Sequence, residues 1–183
     1  MSLLLIITNK PLPMKPIILI LAVLCSPVFA FCQDITGLWK GTMYNDSTKQ
    51  SLDYEIVISK VKGKLTGFSH TSYLVNDKKY YGIKKINVRV AKDGKIVFQD
   101  AKLLENNYPG QQNKNVIQLN VLDLANSGTE SFMDGIFVTN RSKEYQAFTG
   151  RMSIKKVNPL LVQSDLWKYL QKNTEEENMT MVK

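Results

Sequence analysis

The chain of 183 residues holds few side chains of the types that carry out catalysis or bind metals. His70 is its one histidine, which excludes sites that need two imidazoles, as common zinc and di-iron sites do. Asp100 and Asp134 are the only partners that we can propose for it, and neither lies in a ligand motif. No serine or cysteine lies in a nucleophile turn, and no glycine loop for phosphate is present. The sequence therefore nominates no catalytic residue, metal or cofactor, although paired carboxylates for glycoside chemistry stay open, because the tertiary fold decides such pairing.

Tyrosine has a more informative distribution. If the strands described below form a barrel, seven of the eight tyrosines lie at or near the end towards which the first strand runs: Tyr44, Tyr54, Tyr73, Tyr80, Tyr81, Tyr108 and Tyr145. Tyrosine combines apolar area with a polar tip, so a ring of tyrosines at a barrel mouth suits an aromatic, lipid or sugar ligand. Strands also favour tyrosine for its shape alone, and that alternative stays open.

Basic residues are concentrated in one part of the chain. Between Lys60 and Lys95, ten basic residues stand against two acidic ones, in a chain whose net charge is +8. In an exported protein such a segment suits anionic lipid, polysaccharide or a protein partner, and we do not expect it to bind nucleic acid. The alternative is a solvated face that protects strand edges from pairing. The lysines nominated for this basic face are Lys78, Lys79, Lys84 and Lys85.

The first thirty residues have the features of a secretory signal peptide. Lys15 precedes an apolar run from Ile17 to Cys25, and Pro27 then precedes a small-residue cleavage site that ends at Ala30. Because the run is too short to span a membrane, we expect cleavage after Ala30 and export to the periplasm or the exterior. Met14 is the expected true start, and we expect no transmembrane helix in the mature chain.

Export changes the counts that apply to the folded chain. Loss of residues 1–30 removes Lys10 and Lys15 and no acidic residue, which lowers the net charge from +8 to +6. Cys32 is then the one cysteine left, so no internal disulfide can form and the core alone must stabilise the fold. A lipid anchor is a minor alternative, because neither Cys25 nor Cys32 follows a small residue.

After Gln33, apolar residues alternate with period two, and turn residues such as Asp93-Gly94 separate the runs. No helical pattern lies between them. We therefore predict an all-β domain over residues 31–158, an antiparallel up-and-down meander of about eight strands closed as a barrel. The predicted strands are 35–44, 52–59, 65–75, 80–90, 96–100, 116–124, 132–139 and 145–157. A helix N-terminus at Ser164 and Asp165 predicts that residues 159–183 hold a short C-terminal helix and a flexible tail.

Strand alternation also predicts which side chains point into the barrel. With Trp39 inward, the sixth strand is predicted to place Ile117, Leu119 and Val121 inward, and the third strand to place His70 outward on the surface. The residues nominated for a ligand site are Met43, Tyr54, Ser69, Thr71, Tyr73, Tyr81, Phe137 and Tyr145.

Four strands repeat one local pattern, an apolar residue and a short polar residue before glycine, as in Leu65-Thr66-Gly67. Glycine inside a strand marks a tight bend or a close backbone approach, as at a barrel corner. Together with Gly37-x-Trp39 in the first mature strand and a C-terminal helix, the pattern resembles the lipocalin and avidin group of up-and-down barrels, the calycins. The resemblance covers most of the mature chain in architecture but only short motifs in residues. It implies structural roles for Gly37 and Trp39, with Trp39 inside the closed end.

The chain also departs from that group. Lipocalins usually carry disulfides and a basic residue stacked on the tryptophan, and the sequence assigns neither. Avidins line their biotin site with several tryptophans, whereas this chain has only Trp39 and Trp167, so we do not expect biotin binding. Our first hypothesis is an exported, non-enzymatic barrel that binds a small apolar, aromatic or sugar ligand at its tyrosine-rich open end. The alternative is a cell-envelope interaction protein that works through its basic face, and an enzyme is the third hypothesis.

Overall fold

A computed structural model describes residues 34–109, 116–143 and 145–181 of the chain. The predicted signal peptide, its cleavage site and both cysteines lie outside these residues. Eight strands and one helix follow one another in the order β1 (Gly37–Asn45), β2 (Gln50–Val61), β3 (Lys64–Val75), β4 (Lys78–Val90), β5 (Ile96–Asn106), β6 (Gln118–Ser127), β7 (Glu130–Thr139), β8 (Thr149–Val157) and α1 (Asp165–Met181).

Each strand pairs antiparallel with the next, and β8 pairs with β1, so the eight strands form a closed up-and-down barrel. The predicted fold class, meander and closure are confirmed. Two hairpins turn through pairs of residues that both have positive φ, Lys62–Gly63 between β2 and β3 and Asn76–Asp77 between β3 and β4. Such turns match the right-handed twist of the strands that they join, which sets the register locally.

The alternation of strand directions gives the barrel two different ends. We call the end with the β2–β3, β4–β5 and β6–β7 turns the closed end, and the opposite end, with the β1–β2, β3–β4, β5–β6 and β7–β8 connections, the open end. Trp39 lies near the closed end, fully buried, and its Nε1 donates a hydrogen bond to the carbonyl oxygen of Ile35 at 2.9 Å. Apolar side chains fill the barrel from this tryptophan up to Met43, Tyr54 and Phe137. A ligand from solution would therefore meet a filled core below the mouth.

Strand glycines lie where backbones approach closely. A Cβ at Gly67 would overlap the carbonyl oxygen of Val57, and one at Gly135 would overlap that of Val121. Because the clash would be with backbone rather than with a flexible side chain, these positions have no room for any other residue.

The ladder between β5 and β6 is short. These strands pair only from Ile96 to Gln99, whereas β4 pairs with β5 as far as Asn106, past two register shifts. β5 thus runs six residues beyond its predicted end at residue 100, and its second half separates from β6 next to Asp100.

Helix α1 packs on the outside of the barrel. Leu166 is fully buried in a cluster with Leu38, Val57 and Ile83 of the outer wall. Ser164 caps the helix, since its Oγ accepts the N–H of Trp167 at 3.0 Å. The helix continues to Met181, through residues predicted to form a tail. Within the part of the chain that the structure describes, no helix has the length and apolar character needed to cross a membrane.

Candidate functional site

Three tyrosines, Tyr73, Tyr80 and Tyr108, meet at the open end, and we call them the tyrosine cluster. Tyr73 of β3 and Tyr80 of β4 are partners in register, with ring centroids 5.8 Å apart. Tyr108, from the segment after β5, stacks on Tyr73 with centroids 6.1 Å apart, and its hydroxyl occupies the place that a Cβ at Gly82 would take. Burial raises the pKa of Tyr108 to about 12. The three rings lie together at the mouth, on the side formed by β3, β4 and the segment after β5.

Hydrogen bonds between the neighbouring Asn107 and β4 hold Tyr108 in this position. Asn107 contacts β4 with both its side chain and its backbone: its Oδ1 accepts the N–H of Tyr81 at 2.7 Å, and its own N–H donates to the carbonyl oxygen of Tyr81 at 3.2 Å. Its Nδ2 also donates to the carbonyl oxygen of Lys79 at 3.0 Å. The Tyr108 ring at the mouth therefore belongs to an ordered segment of the wall.

An ion pair lies inside the barrel beneath the tyrosine cluster. Lys84 stands opposite Ser69 in register, which points it inward, and its Nζ lies 2.5 Å from Asp100 Oδ2. The same oxygen accepts the N–H of Gln118 at 3.1 Å. Asp100 thus joins β5 to β6 at the point where their backbone ladder ends, and it neutralises a lysine that is mostly buried.

Two amides complete this polar layer, and they correct the predicted orientation of β6. Asn120 faces Phe98 across the ladder, so Gln118, Asn120 and Leu122 point inward, and the prediction for Ile117, Leu119 and Val121 is wrong. Gln118 Nε2 donates to Asn120 Oδ1 at 2.7 Å, and Asn120 Nδ2 donates to the carbonyl oxygen of Phe98 at 3.3 Å. Because these amides satisfy one another, they can be buried while the apolar residues face outward.

Tyr54 lies below the polar layer with its ring stacked on Phe98, at 6.4 Å between centroids. Among the described residues, its buried hydroxyl has no hydrogen-bond partner of acceptable geometry. Burial raises the pKa of Tyr54 far above its ordinary value, and the charge of Asp100 adds to the effect, while the nearby Ser69 hydroxyl partly opposes it. The hydroxyl of Tyr54 therefore keeps its proton, and its burial without a hydrogen-bond partner lowers the stability of the fold.

Most of the nominated ligand residues occupy the barrel interior or the open end. Tyr145 lies at the open end with its ring edge-on to Phe148, at 5.0 Å between centroids. Tyr81 is elsewhere: it points outward, its hydroxyl donates to Glu105 Oε1 at 2.5 Å, and its ring lies 5.9 Å from that of His70. The inward residues are Met43, Tyr54, Ser69, Thr71, Tyr73 and Phe137. Sequence reasoning placed Tyr80 and Tyr108 at this end but did not nominate them.

A cavity of about 460 Å³ opens beside Tyr73 at the open end. Its other lining residues are mainly polar and include Gln50, Ser51, Asp53 and Ser72. Ser51 is the register partner of the outward Tyr44, and Asp53 and Ser72 are partners on the same face, so this cavity lies on the outer side of the wall. The Tyr73 ring points to the inner side, towards Tyr80 and Tyr108.

His70 points outward as predicted, but α1 covers it, so the expectation of a surface histidine is wrong. Only 4% of the residue is exposed, and its Nδ1 lies 3.8 Å from Glu55 Oε2, too far for a hydrogen bond. Burial lowers the pKa of His70, although the charge of Glu55 opposes the shift. The single imidazole is therefore packed between the barrel wall and the helix, where burial disfavours its charged form.

A lysine is stacked on the core tryptophan. Lys156 of β8 is the partner of Trp39 in register, and its Nζ lies 5.9 Å from the centroid of the Trp39 ring. The sequence alone did not identify this pair, because it depends on the contact between the first and last strands. Gly37, with φ of 113°, begins β1 beside the same lysine, whose Cε would lie 3.2 Å from a Cβ at that position.

The four lysines nominated for a basic face lie in different environments. Lys84 is inside the barrel, as described above, and Lys85 is exposed on the outer wall. At the open end, the Nζ of Lys78 lies 5.4 Å above the Tyr80 ring, and that of Lys79 lies 2.6 Å from Asp165. These lysines do not form one surface, and the other basic residues of the segment lie towards the closed end.

Among the described residues, no three histidine, cysteine or acidic side chains are grouped as metal ligands. No protein-family model, no curated protein and no solved structure matches this chain.

Proposed function

We propose that this protein is an exported, non-enzymatic binding barrel that holds a small ligand at the tyrosine cluster of its open end. The observation that carries the proposal is the stack of Tyr73, Tyr80 and Tyr108 on the inward face of the barrel at its mouth. Three half-buried aromatic rings at the mouth of a rigid barrel offer flat apolar area with little conformational entropy to lose.

The chemistry of the mouth favours a sugar-like ligand over a long lipid chain. Within the described part of the chain, apolar side chains fill the barrel below the mouth, so a long chain could not enter deeply. Polar residues of the inward face at this end, such as Gln50 and Thr71, suit hydroxyl groups, while the tyrosine rings suit the apolar face of a sugar.

The Lys156–Trp39 pair supports the resemblance to lipocalins, which have a basic residue stacked on their opening tryptophan. Its role in the proposal is structural. Trp39 fills the closed end, and the pairing of β1 with β8 closes the barrel whose other end carries the tyrosine cluster.

The experiment is a screen of the purified protein against sugars, aromatic compounds and lipids, by native mass spectrometry and tyrosine fluorescence. We expect retention of a sugar-type ligand, and loss of that retention in Tyr73→Ala. Tyr44→Ala is the matched control, because Tyr44 lies at the same end but points outward, partly exposed.

Retention that is equal in Tyr73→Ala and Tyr44→Ala would contradict the proposal. So would a protein that retains none of the compounds while Tyr73→Ala changes only its stability.

A further inference from the structure

The hairpin tips at the closed end combine exposed aliphatic side chains with positive charge. Val61, at the end of β2, is 55% exposed, and Val90, at the end of β4, is 50% exposed. The basic residues around these two valines are Lys60, Lys62, Lys64, Arg89 and Lys92, all of them exposed.

The two tips are neighbours. The register of β3 with β4 pairs Thr66 with Asn87, and continued by two residues it brings Lys64 beside Arg89 at the closed end. The charges of the two hairpins therefore add in one region rather than at separate places on the barrel.

A third exposed apolar segment lies where the chain leaves β8. Val157 ends β8 at the closed end, and a turn follows in which Leu161 donates its N–H to the carbonyl oxygen of Asn158 at 3.0 Å. Leu160 is 84% exposed and Leu161 is 81% exposed. Two adjacent leucines that project into solvent from an ordered turn are unusual in a surface loop, because their apolar area stays in contact with water.

Basic residues outnumber acidic ones in this region. Lys95 is paired with Asp123 at 2.5 Å. Asp93 and Glu130 are the other acidic residues of the described closed-end turns, and Asp34 precedes β1 in the chain, against the five basic residues above. The open end differs, although it too exposes aliphatic side chains at Leu74 and Val75. There Lys79 is neutralised by Asp165, and Asp77 lies in the turn itself.

We propose that the closed end is a docking surface for an anionic lipid bilayer, distinct from the ligand site at the opposite end. Its four aliphatic side chains, Val61, Val90, Leu160 and Leu161, enter the headgroup region, and the surrounding cations contact lipid phosphates. Membrane-surface binding increases with both buried apolar area and attraction to anionic lipid, and this surface supplies both. A soluble polyanion would need the cations but would leave the leucines exposed to water. With the closed end on the bilayer, the mouth faces the solution.

The test is sedimentation of the protein, purified in the form that the cell produces after export. It is mixed with phosphatidylglycerol vesicles and, separately, with phosphatidylcholine vesicles. We expect binding to the anionic vesicles alone, and weaker binding as salt rises. Each basic residue near an anionic surface strengthens binding about fivefold, so Lys62→Glu/Lys64→Glu should weaken it by at least about 25-fold. Leu160→Ser/Leu161→Ser should weaken it about tenfold or more, without affecting the fold, because both side chains are exposed.

The matched control is Lys102→Glu/Arg151→Glu, which makes the same change in net charge at two exposed positions of the barrel wall away from the closed end. It should bind as the unchanged protein does. Equal loss in this control, absence of vesicle binding, or binding that does not depend on Leu160 and Leu161 would overturn the proposal. The last outcome, with retention on soluble heparin, would assign the surface to a polyanion. Each result is independent of ligand retention at Tyr73.

Discussion

The carboxylate of Glu55, in the middle of β2, accepts the backbone N–H of Leu166 in the first turn of α1 at 3.0 Å. The same oxygen accepts the hydroxyl of Ser164 at 2.8 Å, and the other oxygen lies 2.7 Å from Lys40 Nζ. A charged side chain of the barrel wall thus satisfies N-terminal groups of a helix that follows it by more than a hundred residues. Anions are favoured at this end of a helix, so Glu55 attaches α1 to the barrel by charge as well as by hydrogen bonds.

Replacement of Glu55 should weaken the attachment of α1 to the barrel. In Glu55→Gln the hydrogen-bonding shape remains but the charge is lost, which leaves Lys40 without its partner carboxylate. We expect a loss of about 2 kcal/mol in the free energy of unfolding, measured by urea denaturation. Asp53→Asn is the control on the same strand, where the side chain is exposed, and it should cost less than about 0.5 kcal/mol. Equal effects of the two changes would contradict this role of Glu55.

The stability of the fold should fall as the pH is lowered through two ranges. Burial lowers the pKa of His70, among the charges of Glu55, Asp165, Lys79 and Lys40, so the unfolded chain takes up the proton first. The contribution of His70 to stability is therefore complete above the pKa that histidine has in the unfolded chain, about 6.5, and it declines as the pH falls below that value. For Glu55, burial raises the pKa but the hydrogen bonds that it accepts outweigh burial and leave the pKa lowered, so further stability is lost below about pH 4.3.

Urea denaturation over a series of pH values tests this dependence. His70→Gln, which keeps a polar side chain but does not titrate, should remove the decline that begins near pH 6.5 and keep the one at lower pH. An unchanged decline in the variant would show that another group is responsible.

Gly82→Ala should displace Tyr108 from the mouth. The new Cβ would overlap the end of a side chain, which can move, so we expect little loss of stability. The pKa of Tyr108 should then fall from about 12 towards its ordinary value, as followed by ultraviolet titration of the tyrosines. Gly135→Ala is the control: its Cβ would overlap the backbone of Val121, so it should cost about 2 kcal/mol without changing that titration. A Tyr108 pKa that stays high in Gly82→Ala would contradict the packing described here.

Adjacent lysines should respond very differently to the same substitution. Lys84→Met leaves Asp100 without its cation in the barrel interior and should cost about 2 to 3 kcal/mol. Lys85→Met, on the exposed wall, should stay within about 0.5 kcal/mol. In a Lys84→Met/Asp100→Asn double variant the amide still accepts the Gln118 N–H, so part of the loss should be recovered. Urea denaturation of all three variants measures these differences, and similar costs for the two lysines would refute the inward position of Lys84.

Removal of the Tyr54 hydroxyl should stabilise the protein. Its oxygen is buried without a partner among the described residues, and an unsatisfied buried polar group costs at least about 1 kcal/mol. Tyr54→Phe keeps the ring stacked on Phe98 and should raise the free energy of unfolding by about that amount. Thermal and urea denaturation would show the gain. A destabilised variant would mean that the hydroxyl has a partner.

Local patterns carried enough information to predict the barrel. The positions of Trp39 and Met43 on one face of β1 follow from alternation, and the turn at Lys62–Gly63 follows from local chemistry. These features depend on residues close together in the chain, where period and turn geometry act directly. The extension of β5 past residue 100 has no such pattern, because register shifts opposite β4 interrupt its alternation.

The sequence by itself therefore determined the strand order, the closure and the end at which the tyrosines gather. The tertiary structure decided which polar side chains are buried. Gln118 and Lys84 look like surface residues in the sequence, and His70 looks exposed, yet each is covered in the fold. The physical reason is that burial of a polar group depends on its partner, and Asn120, Asp100 and the helix above His70 reach these residues only through strand pairing and docking across the barrel.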